Sequence, residues 1–213
     1  ENNRAVFTGS GVRDRLRVLL VSGEPYQGER AWRNLLKSDP AVDLIHFTIL
    51  RTPAKDDFTP VRELSLIVFP MNELFDQKLN EFNLIIFDRY EQGNIITPDY
   101  FRNIAKYVEN GGALLLSVGP VYATQRSIFR SPLGAVLPAA PSGRVAEGGF
   151  RPKLSDIGKR HPITADLPGS GGDGDPTWGR WFRLITSTVN KGETLMTGAD
   201  SQPLLVVNRV GKG

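Results

Sequence analysis

RVLLVSGEPYQGERAWRNLLKSDPAVDLIHFTIL, residues 17–50, decides the fold. RVLLVSG (17–23) is a near-continuous apolar run closed by glycine, the pattern of a strand buried on both faces. Residues 28–38 then place Ala31, Trp32, Leu35 and Leu36 on one side of a helix. DLIHFTIL (43–50) reads as a second strand, with His46 as a packed or surface strand residue. Strand, helix and strand in that order make a βαβ unit, and such units build parallel sheets.

The pattern continues downstream. LSLIVFP (64–70) and NLIIFDRY (83–90) are short apolar runs on either side of an amphipathic stretch around Leu74, Phe75 and Leu79. Residues 97–112 form the clearest helix: Thr97 can cap it, Pro98 suits the first turn, Asp99 suits the positive end of its dipole, and Gly111-Gly112 ends it. Its apolar face is Phe101, Ile104, Ala105 and Val108. ALLLSVGP (113–120) is a further buried strand running into a tight turn. From 121 to 182 the chain is rich in Gly, Pro and Ser and reads as irregular, with a short helix near 132–137 and a flexible loop at 169–176. RLITSTV (183–189), ETLMTG (193–198) and PLLVVNRV (203–210) alternate and read as hairpin strands.

The expected fold is therefore α/β: a three-layer, open, mostly parallel sheet with helices on both faces and antiparallel strands near the C-terminus. Ligands on such sheets sit at the carboxyl ends of the strands. Those ends are Ser22-Gly23-Glu24, Asp88-Arg89-Tyr90 and Ser117-Val118-Gly119. Residues 1–15 read as a trailing strand and linker, and 16–213 as the α/β domain.

Composition narrows the chemistry. At 213 residues, with 40% apolar and 23% charged residues, the chain can bury a core. A net charge of +3 is too small to imply nucleic-acid binding without a concentrated patch. No apolar run approaches the ~20 residues that a membrane span needs. Cysteine is absent, which removes disulfides, thiolate metal sites and any cysteine nucleophile. Only His46 and His161 remain as imidazole ligands, so no metal site is expected, nor any cofactor.

LRVLLVSGEP (16–25), NLIIFDRY (83–90), YVENGGALLLSVGP (107–120), SPLGAVLP (131–138), KRHPITADLP (159–168), WGRWFR (178–183) and PLLVVNRVGKG (203–213) follow one another in an order that resembles a known group. The chain resembles the class I glutamine amidotransferase-like domain of large, often membrane-anchored bacterial proteins, over roughly 16–213. The His-Pro-Ile-Thr element is similar to the trehalose-utilisation-type branch. The resemblance implies a flavodoxin-like sheet. It also implies an upstream sandwich module ending in ENNRAV, transmembrane helices in the parent, and a closing strand and helix after Gly213. Active members carry a cysteine on a sharp turn after a central strand, completed by a His and a Glu on a later loop. Here that turn reads Ser117-Val118-Gly119-Pro120, with no cysteine anywhere.

The candidate site residues are Glu24, Asp88, Arg89, Ser117, Gly119 and His161. Ser117 with His161 as base, and Asp88 or Glu24 orienting it, would make a serine hydrolase. Against this, the first Gly of Gly-x-Ser-x-Gly is missing, and Pro120 lacks a backbone donor where an oxyanion hole would want one. Gly23-Glu24-Pro25 reads as a tight turn before as a phosphate cradle. Asp88-Arg89 reads either as a pocket wall or as an ordinary ion pair. Between 126 and 160 seven Lys/Arg face two acids, a basic surplus open to an anionic partner or merely solvated. Asp173-Gly174-Asp175 lacks the remaining ligands of a calcium loop. Trp178, Trp181 and Phe182 with Arg180 and Arg183 form a possible recognition patch, one Trp buried and the other exposed. The expected function is a non-catalytic amidotransferase-like module binding a small anionic ligand or a protein partner, with a Ser117–His161 hydrolase as the alternative. A sugar- or nucleotide-binding module is a weaker third reading.

Overall fold

The computed structural model describes residues 15–48, 70–93, 95–171 and 174–213. Within it, β1 (Leu16–Ser22), β2 (Val42–Thr48), β3 (Leu84–Asp88) and β4 (Ala113–Ser117) form a parallel sheet in the order β2-β1-β3-β4. Side chains alternate across a strand, so each apolar run must be covered twice. Val18, Leu20 and Ile86 point to one face, where Trp32 and Leu36 of α1 (Gln27–Ser38) pack. Leu19, Val21, Ile85 and Phe87 point to the other. There they meet Phe101, Ile104, Tyr107 and Val108 of α2 (Pro98–Glu109). Each such side chain contributes ~1.5–3 kcal/mol on burial. The larger cluster also takes in Leu74, Phe75 and Leu79, which lie on a π-helical turn (Glu73–Gln77) and a 3-10 turn (Leu79–Glu81). The two helices thus cover opposite faces, as the double-sided apolar strands require.

Several local expectations change. Ala31 and Leu35 were expected on the packed side of α1, yet both are exposed, Leu35 to 65%. The helix touches the sheet through Trp32 and Leu36 alone among its large apolar residues. Pro98 opens α2 as expected, but the Thr97 side chain makes no capping bond. The expected strand 64–70 lies outside the described residues apart from Pro70, and residues 1–14 of the expected trailing strand and linker also lie outside them.

The second half contains more strand than its composition suggests. Short 3-10 turns run over Pro120–Ala123, Ile128–Arg130 and Pro132–Val136, the last where a short helix was expected. The region read as irregular then yields β5 (Ala139–Phe150), paired antiparallel with β7 (Trp181–Val189). AAPSGRVAEGGF, the sequence of β5, has weak strand propensity. Its pairing is broken by register shifts between Pro141 and Val145 and between Glu147 and Phe150. Tertiary pairing overrides propensity there. β6 (Lys153–Leu154), β8 (Glu193–Thr197) and β9 (Pro203–Val207) form a second antiparallel sheet. Residues 183–189 therefore do not pair with 193–198 as a hairpin, whereas β8 and β9 do pair with each other. No helix among the described residues is long and apolar enough to cross a membrane.

Candidate functional site

The parallel register brings the polar ends of all four strands into one row. Thr48 lies opposite Ser22, Ser22 opposite Asp88, and Asp88 opposite Ser117. From β1 the chain crosses to β2 on one side and returns to β3 on the other. The crevice between the carboxyl ends of β1 and β3 is therefore the topological switch point, where open α/β sheets bind ligands.

Asp88 sits at this point and is fully buried. Burial raises its carboxyl above the ordinary range, while Tyr26, Ser117, Arg89 and Trp32 act in the opposite direction. Tyr26 donates its hydroxyl to Asp88 Oδ1 at 2.8 Å. Burial first, and then that bond, push the phenol up to about 12. Asp88 Oδ2 completes no hydrogen bond. A buried carboxylate oxygen without a donor is costly.

Arg89 follows with φ +49°, a left-handed backbone that is uncommon outside glycine. Its amide donates to the Ser117 carbonyl at 2.7 Å, which ties the turn after β3 to the end of β4. The turn folds the side chain back over the crevice. Its guanidinium lies 4.5 Å from the centre of the Tyr26 ring, and Nη2 contacts Glu24 Oε1 at 2.6 Å. Glu24 and Arg89 keep 39% and 27% of their side chains exposed, so the pair is worth at most ~1 kcal/mol and can open. Arg89 Nε is buried and unpartnered. Two glycines make the turn possible. A Cβ on Gly23 would strike the Arg89 carbonyl, and one on Gly119 would come within 2.9 Å of Arg89 Nε. Beside Gly119 a small cleft is lined by Phe87, Tyr90, Leu116, Ser117, Tyr122 and Ile128. Tyr90 Oη is also buried there without a partner.

His46 occupies a second polar cluster beside the first, where the sequence suggested only a strand residue. Its Nε2 lies 3.1 Å from Ser22 Oγ, 3.4 Å from Thr48 Oγ1 and 3.4 Å from Glu29 Oε1. Thr48 also bonds Glu29 directly. Burial lowers the imidazole's affinity for a proton, partly offset by Glu29. The grouping holds a Ser, a His and a Glu, yet serine and carboxylate approach the same ring nitrogen and Ser22 is fully buried. A proton relay needs the two partners on different nitrogens and an accessible hydroxyl. The cluster clamps α1 to β1 and β2.

Of the expected site residues, Glu24, Asp88, Arg89, Ser117 and Gly119 lie together at the carboxyl edge. His161 lies in the turn 160–166 after β6, its Nδ1 accepting the Ile163 amide at 3.2 Å. No hydrogen bond joins it to Ser117 among the described residues. Pro120 starts a 3-10 turn directly after Gly119, so no amide donor stands at that position. Tyr26, Trp32, Glu29 and Thr48 are not among the expected site residues, and Ser22 is named there only as the polar end of an apolar run, the same signal that marks Asp88. Elsewhere, Arg126 pairs with Glu91 and Lys153 with Asp175, which absorbs part of the basic surplus. Asp173 lies outside the described residues, and no group of three or more His, Asp or Glu among those described could hold a metal ion. Trp178 is half-buried and donates to the Pro168 carbonyl at 2.7 Å, while Trp181 and Phe182 are exposed to 50% and 66%.

A parallel sheet with helices on both faces, a switch point between β1 and β3 and antiparallel strands appended near the C-terminus define the flavodoxin-like α/β class. Among solved structures, the fold is similar to that of a ThuA-like protein from Bacteroides uniformis. The TM-score is 0.53 at 14% identity, covering 96% of this chain and 78% of the other. That likeness is one of fold. No protein-family model matches the sequence, and no curated protein matches it.

Proposed function

We propose that this domain is a non-catalytic amidotransferase-like module that binds a small anionic ligand at the crevice between the ends of β1 and β3. The observation that carries the reading is Arg89. A left-handed backbone folds its guanidinium back over the switch point, where Tyr26 stacks on it and a half-exposed Glu24 carboxylate already occupies it. Guanidinium planes suit carboxylate and phosphate. The sequence has no cysteine, and among the described residues Ser117 makes no hydrogen bond to His161 and has no donor at Pro120, which argues against hydrolysis. By the motif resemblance, the module would serve within a larger bacterial protein.

Titrating ¹⁵N-labelled protein with acetate and with inorganic phosphate tests this. Shifts centred on residues 22–26, 88–90 and 117–119, lost in Arg89→Gln, are expected. Shifts elsewhere, or shifts that persist in the variant, would sink the reading. A second reading, docking of a protein partner, rests on the exposed Trp181 and Phe182 at the start of β7.

A further inference from the structure

We propose that the Phe150–Trp181 end of the β5–β7 ribbon is a membrane-contact site: Trp181 and Phe182 enter the headgroup region of an anionic bilayer surface, and Arg151, Arg180 and Arg183 bind its phosphates. The contact is peripheral and involves no spanning segment. It is independent of the anion-binding reading at the switch point, whose residues lie on the parallel sheet.

The ribbon stands out into solvent at this end. Residues 147–149 and 179–183 are all exposed, whereas Leu184 is buried. A Cβ on Gly148 or Gly179 would meet nothing within 4 Å. Neighbouring strand residues point to opposite faces, so Trp181 and Phe182 expose apolar surface on both. Trp181 leans on Phe150, with ring centres 6.5 Å apart. Phe182 lies over Gly149, its Cε1 3.4 Å from where a Cβ would stand, and the Arg180 stem lies beside it at 3.6 Å. A flat protein surface would cover one face of the ribbon and leave the other ring in water. An interface made of many small mobile molecules closes around both.

Charge selects the lipid. Three arginines flank the rings, and on this end of the ribbon only Glu147 opposes them, 3.8 Å from Arg183. Arg151 and Arg180 form no ion pair among the described residues. Guanidinium forks match phosphate oxygens, and tryptophan suits a region that is apolar on one side and wet on the other. The backbone limits the depth. Pairing satisfies the groups between β5 and β7, but the outer edges of a two-stranded ribbon stay open. The tip therefore belongs among hydrated headgroups and not in the hydrocarbon core.

Sedimentation of the full chain with phosphatidylcholine vesicles, with and without about one-third phosphatidylglycerol, tests this. The protein should sediment with the anionic vesicles, and less so as salt rises. Phe182→Ser should weaken partitioning about tenfold, and Arg151→Gln combined with Arg180→Gln about 30-fold. Trp32 and Trp178 are half-buried, so Trp181 is the fluorescent reporter. Lipids brominated on the acyl chain should quench emission from the parent protein, while Trp181→Phe should sediment but lose that quenching. Absence of sedimentation with the anionic vesicles would overturn the proposal and leave the two rings to a protein partner. Partitioning unchanged in Phe182→Ser but lost with the arginines would mean adsorption by charge without insertion, and would overturn it as well. Quenching that persists in Trp181→Phe would put a different surface at the bilayer and remove the ribbon from the contact.

Discussion

The Tyr26 hydroxyl donates to Asp88 Oδ1 at 2.8 Å, bridging the turn after β1 to the end of β3. It adds a side-chain link to the backbone pairing of the two strands between which the chain reverses its winding. It also holds the tyrosine ring beneath the Arg89 guanidinium. The loop after β1 and the turn after β3 are therefore one unit.

The glycine before this unit should be intolerant. A Cβ at Gly23 would run into backbone, the Arg89 carbonyl and the Tyr90 Cα, and backbone cannot step aside as a flexible side chain can. Gly23→Ala is expected to cost about 2 kcal/mol or more in urea denaturation, with the slope of the transition unchanged. A midpoint equal to the parent's would mean that the two turns are not in contact.

Ser117 is expected to be dispensable for turnover. Ammonia release from glutamine, and hydrolysis of an ester panel, should be no greater for the parent protein than for Ser117→Ala. Activity that vanishes with the hydroxyl would establish a serine hydrolase and displace the binding module.

His46 gives a pH dependence with a definite sign. Its folded affinity for a proton is lowered from the ordinary value of 6.5, chiefly by burial. The unfolded chain therefore takes up a proton first as the solution is acidified. Stability from the neutral imidazole is present above 6.5 and is lost as pH falls through the lowered value. Denaturation midpoints at about pH 7.5 and about pH 5.5 should differ less in His46→Gln than in the parent. An undiminished difference would assign the dependence to other groups.

The two apolar clusters and the exposed aromatics should separate cleanly in a stability assay. Phe101 is buried at 1% exposure against Phe87 and Tyr90, so Phe101→Ala should cost ~3–5 kcal/mol. Phe182, exposed to 66%, should change stability by no more than ~0.5 kcal/mol when replaced by Ser. A large loss in Phe182→Ser would show that the ring is covered in solution.

The sequence was most legible where burial is two-sided. RVLLVSG, NLIIFDRY and ALLLSVGP carry no alternation, and only a parallel sheet covered on both faces explains three such runs separated by a helical repeat. Their polar last residues marked the site edge, which is how Asp88, Arg89 and Ser117 were found. Tyr26 escaped notice because its role depends on where the loop after β1 lands, not on any local pattern. His46 escaped because a lone histidine in an apolar strand carries no sign of what faces it. β5 was illegible for a different reason. Three glycines and a proline within residues 139–150 signal a loop, and only the partner strand, far along the chain, makes them extended.

That distant partnership also orders events in time. β5 and β7 pair Ala139 with Val189 and Phe150 with Trp181, with no turn joining them directly. Their alignment cannot be templated by a hairpin, because closing so long a loop carries an entropic cost that local contacts do not repay. β1 and β2 close a shorter connection, much of it the locally formed helix α1. The ribbon's amides are therefore expected to gain protection later in refolding than those of α1, which hydrogen exchange during refolding would check.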